Sequence, residues 1–256
     1  MRLVDAHCHL SCAEFRHNES RIVEDAKRVG IVGMISAATK REEWEEVFHL
    51  ARRFPEVYAA WGVHPWYVTP EDVTEIAALQ TAQVNGITAI GEIGLDRKIS
   101  TPPFKLQLEV FEEQLKIARE LNLPVVVHCR GAFNTLIDSV RQIGLPKAGG
   151  IVHAYSGSLE ITEELIKLGF SFSMGRALTY RNSPKRVEVL KRIYPERFLL
   201  ETDSPDLPPV ELQGMVNVPA NLTYMLRASA ELLELPEEEI AEKTTENAIR
   251  LFGLNA

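Results

Sequence analysis

Apolar residues along the 256-residue chain fall into two alternating patterns. Short runs rich in β-branched and other apolar residues cover Leu3–His9, Val32–Ala37, Val57–Val63, Thr88–Gly94, Pro124–Cys129, Gly150–Tyr155, Phe170–Met174 and Phe198–Thr202. Their length and composition predict strands. Between them lie longer segments of helical period. Across the segment 105–121 and the residue before it, Phe104, Leu108, Phe111, Leu115, Ala118 and Leu121 recur every three or four positions, which is one buried helix stripe. Ser158, Glu160 and the periodic Ile161–Leu168, closed by Gly169, read as a helix with an N-terminal cap and a glycine stop. Eight such alternations predict an α/β fold, a parallel (β/α)8 TIM barrel, with a doubly wound open sheet as the alternative that periodicity alone does not separate. No Ser/Gly linker or low-complexity tract divides the chain, so a single domain over 1–256 is expected, with the proline-rich stretch 203–219 as its widest loop.

The polar residues inside this pattern gather at the ends of the runs. Glu92 follows Ala89-Ile90-Gly91, His128 follows three valines, His153 follows Ile151-Val152, His64 ends the third run and Asp203 the eighth. A single such residue is ordinarily satisfied by a local hydrogen bond, but in a parallel barrel the C-terminal strand ends are where ligands and catalytic groups collect. In the first run, residues two apart share a face of a strand, so His7 and His9 point together into the barrel mouth while Cys8 points to the helices. Glu201 and Asp203 are likewise two apart. Carboxylates packed this closely repel and raise one another's pKa unless a cation lies among them, so a metal site is the economical reading. Imidazoles and carboxylates without thiolate suit Zn, Mn, Mg, Ni or Co. The six candidate ligands His7, His9, Glu92, His128, His153 and Asp203 exceed the needs of one open tetrahedral site. They match two divalent cations sharing a carboxylate, an arrangement suited to phosphodiester hydrolysis.

Composition adjusts the picture in three ways. At 45% hydrophobic and 25% charged the chain has ample material for a core. With 28 basic and 36 acidic residues the net charge is −8, so attraction to nucleic acid must come from a local patch or from bound metal. The pairs Arg52-Arg53, Lys185-Arg186 and Lys191-Arg192 sit in helical patterns and read as solvated faces. Cys8, Cys12 and Cys129 are odd in number and lack C-x-x-C spacing, which predicts free thiols. No signal-peptide pattern or membrane-length apolar run is found, so a cytoplasmic protein without membrane attachment is expected, with no obligate protein partner evident.

The motifs "DAHCHL", "GVHP", "AIGEIGLD", "LPVVVHCRGA", "VHAYSGS", "LLETDSPDLP", "NVPANL" and "TTENAIRLFG" occur in the order found in the TatD family of metal-dependent deoxyribonucleases, a branch of the amidohydrolase-like barrels. The chain resembles that family over nearly its whole length. The resemblance implies that His7, His9 and Asp203 bind one metal, His128 and His153 a second, and that Glu92 bridges them. It also implies Mg²⁺-dependent removal of nucleotides from DNA 3′ ends, or deacylation of D-aminoacyl-tRNA. Two departures bear on substrate preference: Arg97 and Lys98 follow "GEIGLD" where the family often has an aromatic residue, and Tyr155 replaces the usual phenylalanine.

The expected chemistry is hydrolysis by a metal-activated water, with Asp203 accepting or steering its proton. His64 is placed outside the ligand set, either contacting phosphate and protonating the leaving group or holding a structural hydrogen bond. Arg130, two residues after His128, either grips a phosphate or pairs with Glu201. Glu201 and Tyr155 are further candidates for substrate contact, and Trp66 and Tyr155 either stack on a base or pack a lid. The expected partner is a nucleic acid, a DNA end or an aminoacyl-tRNA, at the barrel mouth. An ester or amide hydrolase using the same metals is the rival reading, and an inert metal-binding barrel a more remote one.

Overall fold

Each of the eight apolar runs forms a strand in the computed structural model, which describes residues 1–82, 84–180 and 183–255. The strands are β1 (Leu3–Cys8), β2 (Ile31–Ala37), β3 (Val57–Trp61), β4 (Ala89–Asp96), β5 (Val125–Arg130), β6 (Gly150–Val152), β7 (Phe170–Met174) and β8 (Phe198–Leu200). Helices α1 (Glu19–Arg28), α2 (Trp44–Arg53), the short α3 (Asp72–Glu75), α4 (Phe104–Leu121), α5 (Phe133–Ile143), α6 (Leu159–Lys167) and α7 (Pro184–Ile193) lie between them, and α8 (Leu222–Leu233) and α9 (Glu237–Phe252) follow. All strand pairs from β1–β2 to β7–β8 are parallel and sequential, which is the (β/α)8 barrel and excludes the open doubly wound order. The cap on α6 forms as its sequence predicts: Ser158 Oγ accepts the Ile161 N–H, and Gly169 adopts φ +101° beyond the helix.

The core has two layers. Val4, Ala6, Ile35, Ala37, Ala60, Ala89, Val126, Ile151 and Leu199 form one cluster, drawn from seven strands and sealed below by Ala248 and Phe252 of α9. These are the barrel interior, and small side chains dominate because eight strands leave little room inside. The alternate strand residues, such as Met34, Ile90, Val127 and Phe172, pack outward against Val47, Leu115, Leu136 and Leu190 of the helices.

Two irregularities position the site. Between Asp5 and Cys8, β1 advances three residues while β2 advances two, and between Ile90 and Ile93, β4 gains one residue on β5. Each is a bulge, which turns a side chain that regular alternation would send elsewhere. The extra residues lie around His7 and Glu92. A strict two-residue alternation from the inward Val4 and Ala6 would send His7 out to the helices, so the expected face-sharing of His7 and His9 is reached through the bulge and through β1 ending at Cys8. The seam between β8 and β1 is joined by backbone bonds at the site itself: Asp203 N–H donates to His7 O (3.0 Å) and His9 N–H to Ser204 O (2.7 Å).

Candidate metal centre

Glu92 is the hub. Its Oε2 lies 3.2 Å from His7 Nε2 and 3.3 Å from His9 Nε2, while its Oε1 lies 2.7 Å from His153 Nε2, 3.1 Å from His64 Nε2 and 3.4 Å from His128 Nδ1. Asp203 Oδ1 stands 3.4 Å from His7 Nε2 and 3.6 Å from His9 Nε2. One oxygen of Glu92 therefore faces the His7, His9 and Asp203 side and the other faces the His64, His128 and His153 side. All six expected ligands meet in one cluster.

The backbone around Glu92 requires glycine. A Cβ on Gly62 would fall 2.7 Å from Gly91 C, and Gly94, at φ +148°, has no space for one because His128 O lies 1.9 Å from the position it would take. The "GEIG" spacing thus lets β4 press against both neighbours while projecting a carboxylate. Asp203 follows the end of β8 in the left-handed region (φ +57°), a conformation that a short polar side chain tolerates. Its loop is held by Asp5, which accepts the Thr202 N–H (2.9 Å) and hydroxyl (2.6 Å), and by Asn217 Nδ2, which donates to the carbonyls of Thr202, Asp206 and Leu207. From α4, Gln114 brackets Val63 beside His64, and Gln107 accepts the Asp96 N–H.

The hydrogen bonds fix ring roles. His9 Nδ1 faces Ala37 O at 2.9 Å, and because a carbonyl only accepts, the proton sits on Nδ1 and leaves Nε2 free to ligate. His64 is the reverse: Nδ1 accepts the Trp66 N–H (3.1 Å), so a neutral ring carries its proton on Nε2 and donates toward Glu92. That tautomer disfavours ligation, although the ring is near enough to Glu92 and His128 to be geometrically eligible. His128 presents Nδ1 to Glu92 and Nε2 to Asp96 Oδ2 (3.2 Å).

Charge is concentrated here. Burial lowers His7, but Glu92 and Asp203 override it and raise the imidazole to about 9. His128 likewise reaches about 9, with Asp96 and Glu92 outweighing burial, and His9 is raised by the same carboxylates as His7. Burial and repulsion from His7 push His153 down to about 4, and burial also depresses His64. Glu92 and Asp203 are held well below the usual carboxylate range by the surrounding imidazoles, against burial.

These residues fit divalent cations. His7 Nδ1 and Nε2 and His153 Nδ1 are buried and make no hydrogen bond among the described residues, although His7 Nε2 has two carboxylate oxygens within 3.4 Å. Imidazole nitrogens and carboxylate oxygens crowded at 2.7–3.6 Å, with buried nitrogens left unbonded, are what a ligand set presents. Three groupings, His7/His9/Glu92, His7/His153/Asp203 and His64/Glu92/His128, each place one atom per residue within 4.8 Å of the others.

The family model for TatD related DNase matches residues 4–253. The chain belongs to that family. Among TatD relatives, it is 35% identical over 256 residues to the uncharacterized metal-dependent hydrolase YabD of Bacillus subtilis, covering 99% of this chain and 100% of that one. A zebrafish relative named provisionally as deoxyribonuclease tatdn3 is 31% identical, over 98% and 97% of the two chains. The crystal structure of the TatD homologue YjjV from Escherichia coli superposes with a TM-score of 0.91 at 32% identity, covering 98% of each chain.

Two expected substrate contacts, Glu201 and Tyr155, need correction, and the alternative partner expected for Arg130 changes. Glu201 does not share the mouth with Asp203: β8 stops at Leu200 and the backbone turns, so Glu201 is fully buried, accepting the Ala154 N–H (2.6 Å) and the Ser173 hydroxyl. Burial raises it to about 8, so the two carboxyls are split, with Asp203 ionised. Tyr155 is 1% exposed, packed on Phe172 and Phe133 with its hydroxyl at 2.9 Å from Thr162 Oγ1, and is a core residue rather than a stacking platform. Arg130 reaches the rim as expected, but its acidic neighbour is Asp96 (3.5 Å) rather than Glu201. Asp5 and Asp96 stand outside the expected site set as supporting carboxylates. Asp96 ends a strand run as the candidate ligands do, and its signal is the final residue of "GEIGLD", two residues past the end of the fourth apolar run.

Proposed function

We propose that this chain is a metal-dependent phosphodiesterase that trims DNA from 3′ ends, using two divalent cations. The observation that carries the reading is the division of Glu92: one oxygen toward His7 and His9, the other toward His128 and His153. When bound, the cations supply Lewis acidity that activates water near neutral pH and offsets charge developing on the phosphoryl oxygens. Glu92 holds both sides in register. Asp203, ionised and 14% exposed, stands at the open side and steers and accepts the proton of the attacking water. His64, neutral and protonated on Nε2, directs that proton to Glu92 and so holds the shared carboxylate in place, the structural hydrogen bond expected as its alternative role. Arg130 adds a charge-assisted contact to phosphate from the rim. The single-domain reading and the nucleic-acid partner belong to the same proposal, and no helix among the described residues is long and apolar enough to cross a membrane.

The test is a substrate panel for metal-loaded protein: single-stranded DNA labelled at either end, D-aminoacyl-tRNA and simple esters. Stepwise shortening of 5′-labelled DNA is expected. Deacylation of the tRNA with intact DNA overturns the diesterase reading in favour of an ester hydrolase on the same centre.

A further inference from the structure

A cleft of about 810 Å³ opens at the opposite end of the barrel from the candidate metal centre. Its walls include the residues that immediately precede five strands: Thr88 before β4, Pro124 before β5, Gly149 before β6, Gly169 before β7 and Arg197 before β8. The candidate ligands stand at the C-terminal ends of these strands, so the barrel interior, with Ala89, Val126, Ile151 and Leu199, separates the two places. Phe252 of α9, which seals that interior from below, lines the cleft as well. Lys147, Arg197 and Arg250 bring three cations to it against the single carboxylate of Glu196. In a chain of net charge −8 this is a local reversal of sign. Both guanidiniums are anchored by neutral oxygens: Arg197 Nη1 donates to Phe170 O (2.8 Å), and Arg250 Nη2 donates to Glu196 O (2.8 Å) and Asn247 Oδ1 (2.6 Å). Asn247 is fixed in turn, its Nδ2 donating to Pro195 O (2.6 Å) and to Phe198 O (2.9 Å) at the start of β8. A carbonyl orients a guanidinium without cancelling its charge, so the remaining N–H groups stay available to an anion. Among the described residues none of the three cations is paired with a carboxylate.

The volume is that of a small-molecule site. Fixed, uncompensated guanidiniums beside the apolar Phe252 and the hydroxyls of Thr88 and Ser171 match a compact anion with a polar organic part. A phosphate monoester carries a charge of about −1.5 to −2 at neutral pH, which suits an excess of cations that a single carboxylate group would leave unmet. Its oxygens also fit the guanidinium fork. We propose that this cleft is a second binding site, for a small phosphate monoester of the sugar phosphate or mononucleotide kind. Arg197, Arg250 and Lys147 hold the phosphate, and the organic part lies against Phe252 within reach of Thr88 and Ser171. No candidate metal ligand lines the cleft, so the site stands independently of the hydrolytic reading.

The experiment is calorimetric titration of metal-loaded protein with ribose 5-phosphate, thymidine 5′-phosphate, inorganic phosphate and an oligothymidylate with hydroxyl ends. Bound metals attract phosphate too, so the assignment rests on variants in the cleft. Arg250→Gln is expected to weaken binding of at least one of the two esters about 10- to 100-fold, the loss of a charge-assisted hydrogen bond. Lys147→Gln, at an exposed position, should weaken it about 2- to 5-fold. Glu196→Gln removes the one opposing charge and should tighten it about 2- to 5-fold, a gain that loss of fold does not mimic. Asp203→Asn should leave the Arg250-dependent binding in place. Ester affinities indifferent to all three cleft substitutions overturn the site, whether or not the protein hydrolyses any substrate. Inorganic phosphate bound as tightly as both esters overturns the organic part of the proposal, and Arg250-dependent binding of the oligothymidylate with neither ester bound overturns the small-molecule class in favour of a nucleic-acid strand.

Discussion

Replacing Glu92 by glutamine keeps the volume of the side chain and removes its charge from the midst of five imidazoles. The nitrogens concerned lie 2.7–3.4 Å from the carboxylate. At an effective dielectric of about 20, one unit-charge pair at 3.3 Å attracts by about 5 kcal/mol before desolvation. Holding His7 or His128 at about 9 instead of 6.5 corresponds to about 3 kcal/mol of preference for the protonated ring. Asp203 and Asp96 share in that preference, so the expected loss in metal-free protein is that of breaking a buried pair, about 3–5 kcal/mol. For a chain of this size the melting temperature then falls by roughly 6–20 °C. The sign follows from linkage. A raised imidazole contributes stability fully present below 6.5 and lost as pH rises through about 9, whereas the depressed Glu92 contributes above 4.5 and loses it in acid. The gap between wild type and Glu92→Gln should therefore be widest between these two limits and narrow toward pH 9. Thermal melts of chelator-treated proteins across that range measure it, and elemental analysis after reloading measures the metals retained. A gap below about 1 kcal/mol that ignores pH, with metal content equal to wild type, refutes the central role of Glu92.

Other perturbations separate the supporting parts. Chelation should lower the melting temperature of wild type by roughly 5–10 °C relative to protein held at about 100 times the metal dissociation constant, and superimposable melts refute a metal-stabilised centre. Asp96→Asn should leave the fold intact and cut metal affinity or kcat/KM about 10- to 100-fold, read by metal titration and steady-state assay, whereas a change under about twofold shows that His128 needs no such partner. Asn217→Ala strips a donor from three carbonyls of the loop that carries Asp203. It should cost about 1–3 kcal/mol in urea unfolding, with metal affinity falling in parallel, and a neutral variant assigns that loop another anchor.

How much of this was legible in the sequence depended on whether the cause was local. Strand runs such as "LPVVVHC" announce themselves because β-branched residues buried on both faces leave little else to form, and the candidate ligands stand out as polar residues ending them. Bulges are different. The extra residues near His7 and Glu92 exist only relative to the neighbouring strand, so residue spacing within β1 or β4 carries no sign of them. Gln107 and Gln114 lay hidden for a related reason: each faces inward from α4 to satisfy backbone groups of another segment, and polar residues at such positions read from sequence as the solvent side. Tyr155 and Glu201 were misplaced because strand alternation was extended past the real ends of β6 and β8, where the backbone turns.

The seam between the first and last strands also sets a timetable. His7 and His9 leave the ribosome almost 200 residues ahead of Asp203, which shares their cluster and whose N–H bonds to His7 O. At translation rates of about 5–20 residues per second, the early imidazoles wait roughly 10–40 s for their carboxylate. The polar cluster at the barrel mouth is therefore complete only when the last strand has been made and has closed against the first.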